Sequence, residues 1–261
     1  MVIDFHTHCF ADNIAANAMK QLKEEGDIEA FADGTAGGLL ASMKTAGIDK
    51  SVIVPVATKP SQVAPINKWA KQTTSESLCF FGALHPNDED IFEQATWLKD
   101  NGFLGVKFHP DYQRFLADEA RMMPIYEALR DLNLIVLLHA GVDIGLIGTV
   151  HCTPMMIDKV IQNVPGLKLV AAHMGGHGLW QDAQELLSGK DLFFDTSYSW
   201  YELEKKGMTR MINKHGADKI LFGTDSPWTD AKLALQRIVS LDLPGADMDK
   251  ILYQNAQNLL K

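Results

Sequence analysis

Hydrophobic positions gather into eight short runs rich in β-branched and aromatic residues. They are "VIDFHTH" (2–8), "SVIVPVAT" (51–58), "CFFGALHP" (79–86), "FLGVKFHP" (103–110), "LIVLLHAG" (134–141), "KLVAAHMGG" (168–176), "LFFDTS" (192–197) and "ILFGTDSPW" (220–228). Several are apolar at consecutive positions, as expected of parallel strands covered on both faces. Between them lie amphipathic stretches with helix punctuation. "NDEDIFEQATWLKDNG" carries acids in its first turn and ends on Gly102, and "TPMMIDKVIQNVPG" opens with Thr153 as a cap and Pro154 in the first turn.

Strand and helix alternate through the whole length, which predicts an α/β fold and, with eight repeats in 261 residues, a (β/α)8 TIM barrel. A doubly wound open sheet is the alternative. It lacks support, because no GxGxxG follows the first run and no GxxxxGK[ST] occurs anywhere. No Pro/Gly/Ser-rich linker divides the chain, so residues 1–261 read as a single barrel domain. The stretch 10–50 is expected to be an elaborated first loop: a helix near 12–25, a turn in "ADGTAGG" and a second helix in "LLASMKTAG". Its position suits a cover over an active-site mouth.

Composition narrows the partners. Hydrophobic residues at 46% and charged residues at 22% describe a soluble globular protein. A formal net charge of -9, with no Lys/Arg cluster, argues against nucleic acid and leaves a small molecule as the expected partner. Self-association into a homodimer stays open. "MVIDFHTH" has neither a charged leader nor a long apolar segment, and no run reaches membrane-spanning length, so a cytoplasmic protein without membrane partners is expected. Cys9, Cys79 and Cys152 are widely spaced and odd in number, which predicts reduced, mostly buried thiols.

The histidines carry the chemistry. In the first run His6 and His8 point to one face about 7 Å apart, as Asp4 does below them. His109, His139 and His173 also stand at the C-terminal ends of predicted strands, and Asp225 does so in the last one. These ends form the active-site rim of a TIM barrel, where side chains from distant strands converge. Imidazole and carboxylate together suit Zn²⁺ or Mn²⁺. Lys107 and His109 share a face of the fourth run; the lysine could bind a substrate carboxylate or snorkel at the rim. His109, followed by Pro110, could instead fix a corner. His177 is a pocket candidate near the start of a helix, where backbone N–H groups favour anions. His151 is expected to hold its loop, and His85 and His215 to be structural or exposed. Trp228 and Tyr198 lie at rim positions able to stack on a planar substrate.

"DFHTH", His139 after the fifth run, "AAHMGG", "FGTDSPW", "QNAQNLL" and "HCTPMMIDKV" together resemble the amidohydrolase superfamily. Within it they are similar to the amidohydrolase-related (family 2) branch that includes the aminocarboxymuconate semialdehyde decarboxylase group. The resemblance covers nearly the whole chain. It implies a distorted TIM barrel of the metal-dependent hydrolase type, with one or two divalent metals, zinc first and manganese second. It also implies that His6, His8, His139 and Asp225 ligate one metal, while His173 and Asp225 act as catalytic proton-handling groups. Lys107, His109 and His177 are then the expected substrate-binding residues, and a carboxylated Lys107 would bring a second metal. The leading expectation is hydrolysis of an amide, ester or lactone bond in a small carboxylate-bearing molecule by a metal-activated water. Non-oxidative decarboxylation of a small unsaturated or aromatic acid is the alternative, and a catalytically silent metal-binding scaffold is a third.

Overall fold

The apolar runs become parallel strands in chain order: β1 (Ile3–Thr7), β2 (Lys50–Ile53), β3 (Leu78–Phe80), β4 (Gly82–Ala83), β5 (Gly105–Phe108), β6 (Ile135–Leu138), β7 (Leu169–Ala171), β8 (Phe193–Asp195) and β9 (Ile220–Leu221). They belong to a computed structural model that describes residues 1–146, 148–200 and 203–261. Each strand pairs with its sequence neighbour, in the orders β1-β2-β3 and β4-β5-β6-β7-β8-β9. β3 and β4 are halves of one run, interrupted at Phe81, whose N–H still donates to Ile53 O at 2.8 Å. The outer ends meet too. Phe5 N–H donates to Phe222 O and Asp225 N–H to His6 O, both at 2.8 Å, and Thr7 bridges Ser226 in parallel. The sheet thus closes on itself with eight strand positions, the ring of a TIM barrel.

Twelve α-helices are described: α1 (Asp12–Gly26), α2 (Ala36–Ala46), α3 (Val63–Thr73), α4 (Ile91–Asp100), α5 (Pro110–Gln113), α6 (Met122–Asp131), α7 (Pro154–Asn163), α8 (Trp180–Leu186), α9 (Lys205–His215), α10 (Ala231–Val239), α11 (Gly245–Asp249) and α12 (Asn255–Leu259). Local chemistry sets several starts. Thr153 Oγ1 accepts from Met156 N ahead of α7, and Asp230 accepts from Lys232 N and Leu233 N ahead of α10. Of the two helices expected between residues 10 and 50, α2 packs on α10, whereas α1 lines the cavity described below.

β6 shows why the runs read as continuously apolar. Ile135 and Leu137 join one buried cluster with Phe5, Val52 and Val170, while Val136 and Leu138 join another with Leu98, Ile125 and Tyr126. Alternate residues feed different layers, so no position is left for a polar side chain. Cys9 and Cys152 are buried, Cys79 is half-buried, and all three are free thiols, as expected. Burial pushes the Cys9 thiol up to about 12.

His215 is a structural histidine. Its Nδ1 accepts from Gly189 N at 3.2 Å, its Nε2–H donates to Leu192 O at 2.9 Å, and its ring stacks on Phe194 at 3.9 Å. Burial lowers its pKa from 6.5 to about 4. The folded state therefore resists a proton that the unfolded chain accepts, so this stabilisation is whole above pH 6.5 and fades as pH falls toward 4. His215→Gln is expected to flatten the pH dependence of unfolding free energy across that window, by up to about 3 kcal/mol. Urea unfolding at several pH values measures it; parallel curves for variant and wild type would contradict the assignment.

Candidate metal centre

The rim is built from β1 outward. Asp4 anchors it, accepting from Thr224 N at 2.9 Å and Thr224 Oγ1 at 2.6 Å, which ties β1 to the segment after β9. Two residues on, His6 Nδ1 lies 2.9 Å from Asp195 Oδ2. A carboxylate only accepts, so Nδ1 carries the hydrogen and Nε2 presents a bare lone pair. That Nε2 stands 3.5 Å from Asp225 Oδ1 and 3.3 Å from Lys107 Nζ, and His8 Nε2 reaches the same Asp225 oxygen at 3.0 Å. His6 and Asp225 thus face each other through lone pairs with no hydrogen between them. A cation resolves such a contact, and the ligand atoms of His6, His8 and Asp225 lie within 4.8 Å of one another. Two imidazoles and a carboxylate fit Zn²⁺ or Mn²⁺.

A second file runs alongside. His173 Nδ1–H donates to Ser197 O at 3.0 Å, so its Nε2 accepts from His139 Nδ1–H, also at 3.0 Å. His139 Nε2 is then a buried lone pair without a hydrogen-bond partner, 3.9 Å from Asp143 Oδ2. His109 stacks on His139 at 4.1 Å and places Nε2 3.2 Å from the same Asp143 oxygen. Three of the four expected ligands therefore converge, while His139 groups with His109 and Asp143 and meets the first set through His173. His6, His173 and Asp195 also cluster, but their close atoms are already spent on hydrogen bonds, which makes that group a positioning network.

Backbone shape explains why the strands stop short of their predicted ends. His173 and Asp225 adopt φ of 57° and 67°, a left-handed conformation that no strand tolerates and that is uncommon outside glycine. Strain of this kind gathers at functional sites.

The remaining candidates frame one cavity of about 900 Å³, whose floor includes His6, Lys107, His173 and Asp225. Lys107 is 1% exposed, which excludes the snorkelling reading, and burial lowers its pKa to about 8. His177 pairs its backbone with Ala140 and Val142 and sets its ring 6.2 Å from His173. Tyr198 and Trp228 line the same space. His151 lies apart from it, with Nδ1 2.8 Å from Asp111 Oδ1, holding its loop. His85 is buried and accepts from Asn87 N, a turn contact.

Burial lowers the pKa of His6, His109 and His139, and takes His173 to about 3, so these imidazoles stay neutral and keep lone pairs for a metal. Burial works against Asp195 and Asp225, yet hydrogen bonds from His6 and Ser197 hold Asp195, and one from His8 holds Asp225, well below the usual carboxylate range. Asp143, Asp195 and Ser197 were not among the expected site residues. Asp195 and Ser197 stand at the end of the seventh predicted strand, the same position that marked the histidines; Asp143 follows His139 by four residues in a loop, where no period signals it.

Comparison with known proteins agrees with this fold. The family model for amidohydrolases matches residues 3–261. The chain belongs to the amidohydrolase family. Comparison with curated proteins gives no match. Among solved structures, a 2,6-dihydroxybenzoate decarboxylase complexed with 2,6-dihydroxybenzoate is similar at 16% identity and a TM-score of 0.77, covering 99% of this chain and 98% of that one. A TIM-barrel protein from Bordetella bronchiseptica is similar at 21% identity and a TM-score of 0.75, covering 99% and 98%. A dihydroxybenzoic acid decarboxylase from Polaromonas, with bound manganese and 2-nitroresorcinol, is similar at 17% identity and a TM-score of 0.75, covering 99% and 96%. These likenesses establish the barrel of this amidohydrolase and leave its reaction to be argued from the site. No described helix is long and apolar enough to cross a membrane.

Proposed function

We propose that this amidohydrolase-family enzyme is a metal-dependent, non-oxidative decarboxylase of small hydroxylated aromatic or unsaturated carboxylic acids. The observation that carries the reading is the floor: the buried Lys107 ammonium stands 3.3 Å from His6, beside the His6, His8 and Asp225 set, at the base of a cavity with apolar and aromatic walls. Such a floor suits a carboxylate, and such walls suit a flat ring. The similar decarboxylases support this alternative above hydrolysis, the leading expectation from sequence.

His6, His8 and Asp225 would hold the metal, with the bare Nε2 of His139 next along the floor. When bound, a divalent ion supplies positive charge for a carboxylate and an adjacent oxygen. Lys107 pairs with the carboxylate and fixes it against the floor. Trp228 and Tyr198 keep the ring plane in place and exclude water, which strengthens the charge pairing. As the carbon–carbon bond breaks, its electron pair stays on the ring carbon and carbon dioxide leaves. The proton that replaces it is taken from solvent on the bare Nε2 of His139 and passed to the ring carbon, while His173 Nε2 holds the His139 Nδ1–H and shares the added charge.

Asp195 positions two of these imidazoles, taking the His6 Nδ1–H and the His173 backbone N–H. Asp195→Asn is expected to keep the shape and lower metal affinity about 10–100-fold, the usual cost of losing a carboxylate behind a ligating histidine. Competition with a chromogenic chelator measures it, and an unchanged affinity would remove the orienting role.

The reaction test offers small hydroxybenzoic and unsaturated acids beside lactones and amides, following carbon dioxide release and ¹⁸O uptake from labelled water. Carbon dioxide without ¹⁸O at the reacting carbon is expected. Incorporation of ¹⁸O into an amide or lactone product, with no acid decarboxylated, would return the site to hydrolysis.

A further inference from the structure

We propose that the acid taken by this site carries an uncharged apolar extension, a second ring or an alkyl chain, housed in a groove between α1 and α3; this rests on the carboxylic-acid reading above. At about 900 Å³ the cavity lies near the top of the range, roughly 300–1,000 Å³, that encloses drug-sized ligands. A one-ring acid seated at Lys107 leaves most of that space to water.

The space beyond the floor has largely apolar walls, with Asn13, Gln21, Glu25, Thr58 and Gln62 among their polar positions. Ile14, Ala18 and Leu22 recur every four residues along α1, so they share one helix face, and all three line the cavity. The residues that α1 buries are Ala15 and Met19, on a neighbouring stripe. From α3, Pro65, Ile66 and Trp69 line the same space. An apolar stripe left against water is unfavourable, and a run of such surface marks a binding site.

Continuity selects the occupant. One cavity joins this groove to the floor, and Lys107 is the one Lys or Arg among its described lining residues. It therefore suits a molecule with a single anionic head at the floor and an apolar tail along α1. Glu25 also lines the cavity, so a second carboxylate on the tail would meet a like charge.

The test is calorimetric titration of the metal-loaded full-length protein with 2,6-dihydroxybenzoates bearing hydrogen, methyl, propyl, pentyl or phenyl opposite the carboxylate. Affinity is expected to rise about fourfold per buried methylene. Ala18→Trp, which fills the groove, should flatten that rise. Ile66→Ser should reduce it without adding bulk, and serves if the tryptophan variant does not fold. A series flat in the wild type, as would follow if a second copy of the chain covers the groove, overturns the proposal. A rising series in which no acid releases carbon dioxide supports the groove and overturns the decarboxylase reading alone. If none of the acids binds, both fall.

Discussion

His6→Ala combined with His8→Ala is expected to strip the divalent metal from the purified protein, leaving less than about a tenth of the wild-type occupancy by elemental analysis. The two imidazoles are two of the three converging groups, Asp225 being the third, and one carboxylate cannot hold the ion against water and buffer. Activity should fall to that of chelator-treated wild type. The barrel should stay folded, because the ligands sit at the rim and the packed layers run through residues such as Val136, Leu137 and Val170. Some stability will be lost, since truncating His6 leaves Asp195 Oδ2 without its donor, a cost of about 1–3 kcal/mol. His8→Ala alone separates the effects: His8 is only half-buried and touches Asp225, so it should weaken metal binding with little change in Tm. Unchanged occupancy in the double variant would place the metal elsewhere. The same analysis identifies the ion, since this donor set suits zinc and manganese alike.

The barrel was legible because its strands are buried on both faces, which leaves each as an unbroken apolar run such as "LIVLLHAG". Helix starts were legible where one side chain decides them, as with Thr153 and Pro154. Strand ends were not. The last predicted run extends to Trp228, but β9 stops at Leu221, because the following residues bend to aim Asp225 into the site. Alternation placed His6 on the rim, yet it could not show that Asp195 fixes its tautomer, a contact across 189 residues. The family resemblance grouped His139 with the first ligands; packing also stacks it on His109, and only three-dimensional proximity reveals Asp143 beside the two rings. Lys107 shows the same limit. The sequence left it three roles, and complete burial beside His6 removes the solvent-facing one.

His173→Gln is expected to lower kcat by about 10²–10⁴ while the metal stays bound and KM changes little, the pattern of a lost proton-transfer group. The geometry separates His173 from the ligands. Its Nδ1–H is committed to Ser197 O and its Nε2 to His139 Nδ1–H, so neither nitrogen is spare for an ion. Glutamine keeps polar atoms near the same partners but, unlike the imidazole Nε2, cannot take up the His139 Nδ1 proton and share the added charge. Asp225→Asn is the matching control, because it removes the carboxylate that meets both His6 and His8 and should lose metal and activity together. The two variants are therefore distinguished by elemental analysis before any turnover is measured. Loss of metal in His173→Gln to the extent seen in Asp225→Asn would make His173 a ligand and require the proton to come from another group. Retained metal with undiminished kcat would release His173 from the chemistry altogether and leave it as a support for His139.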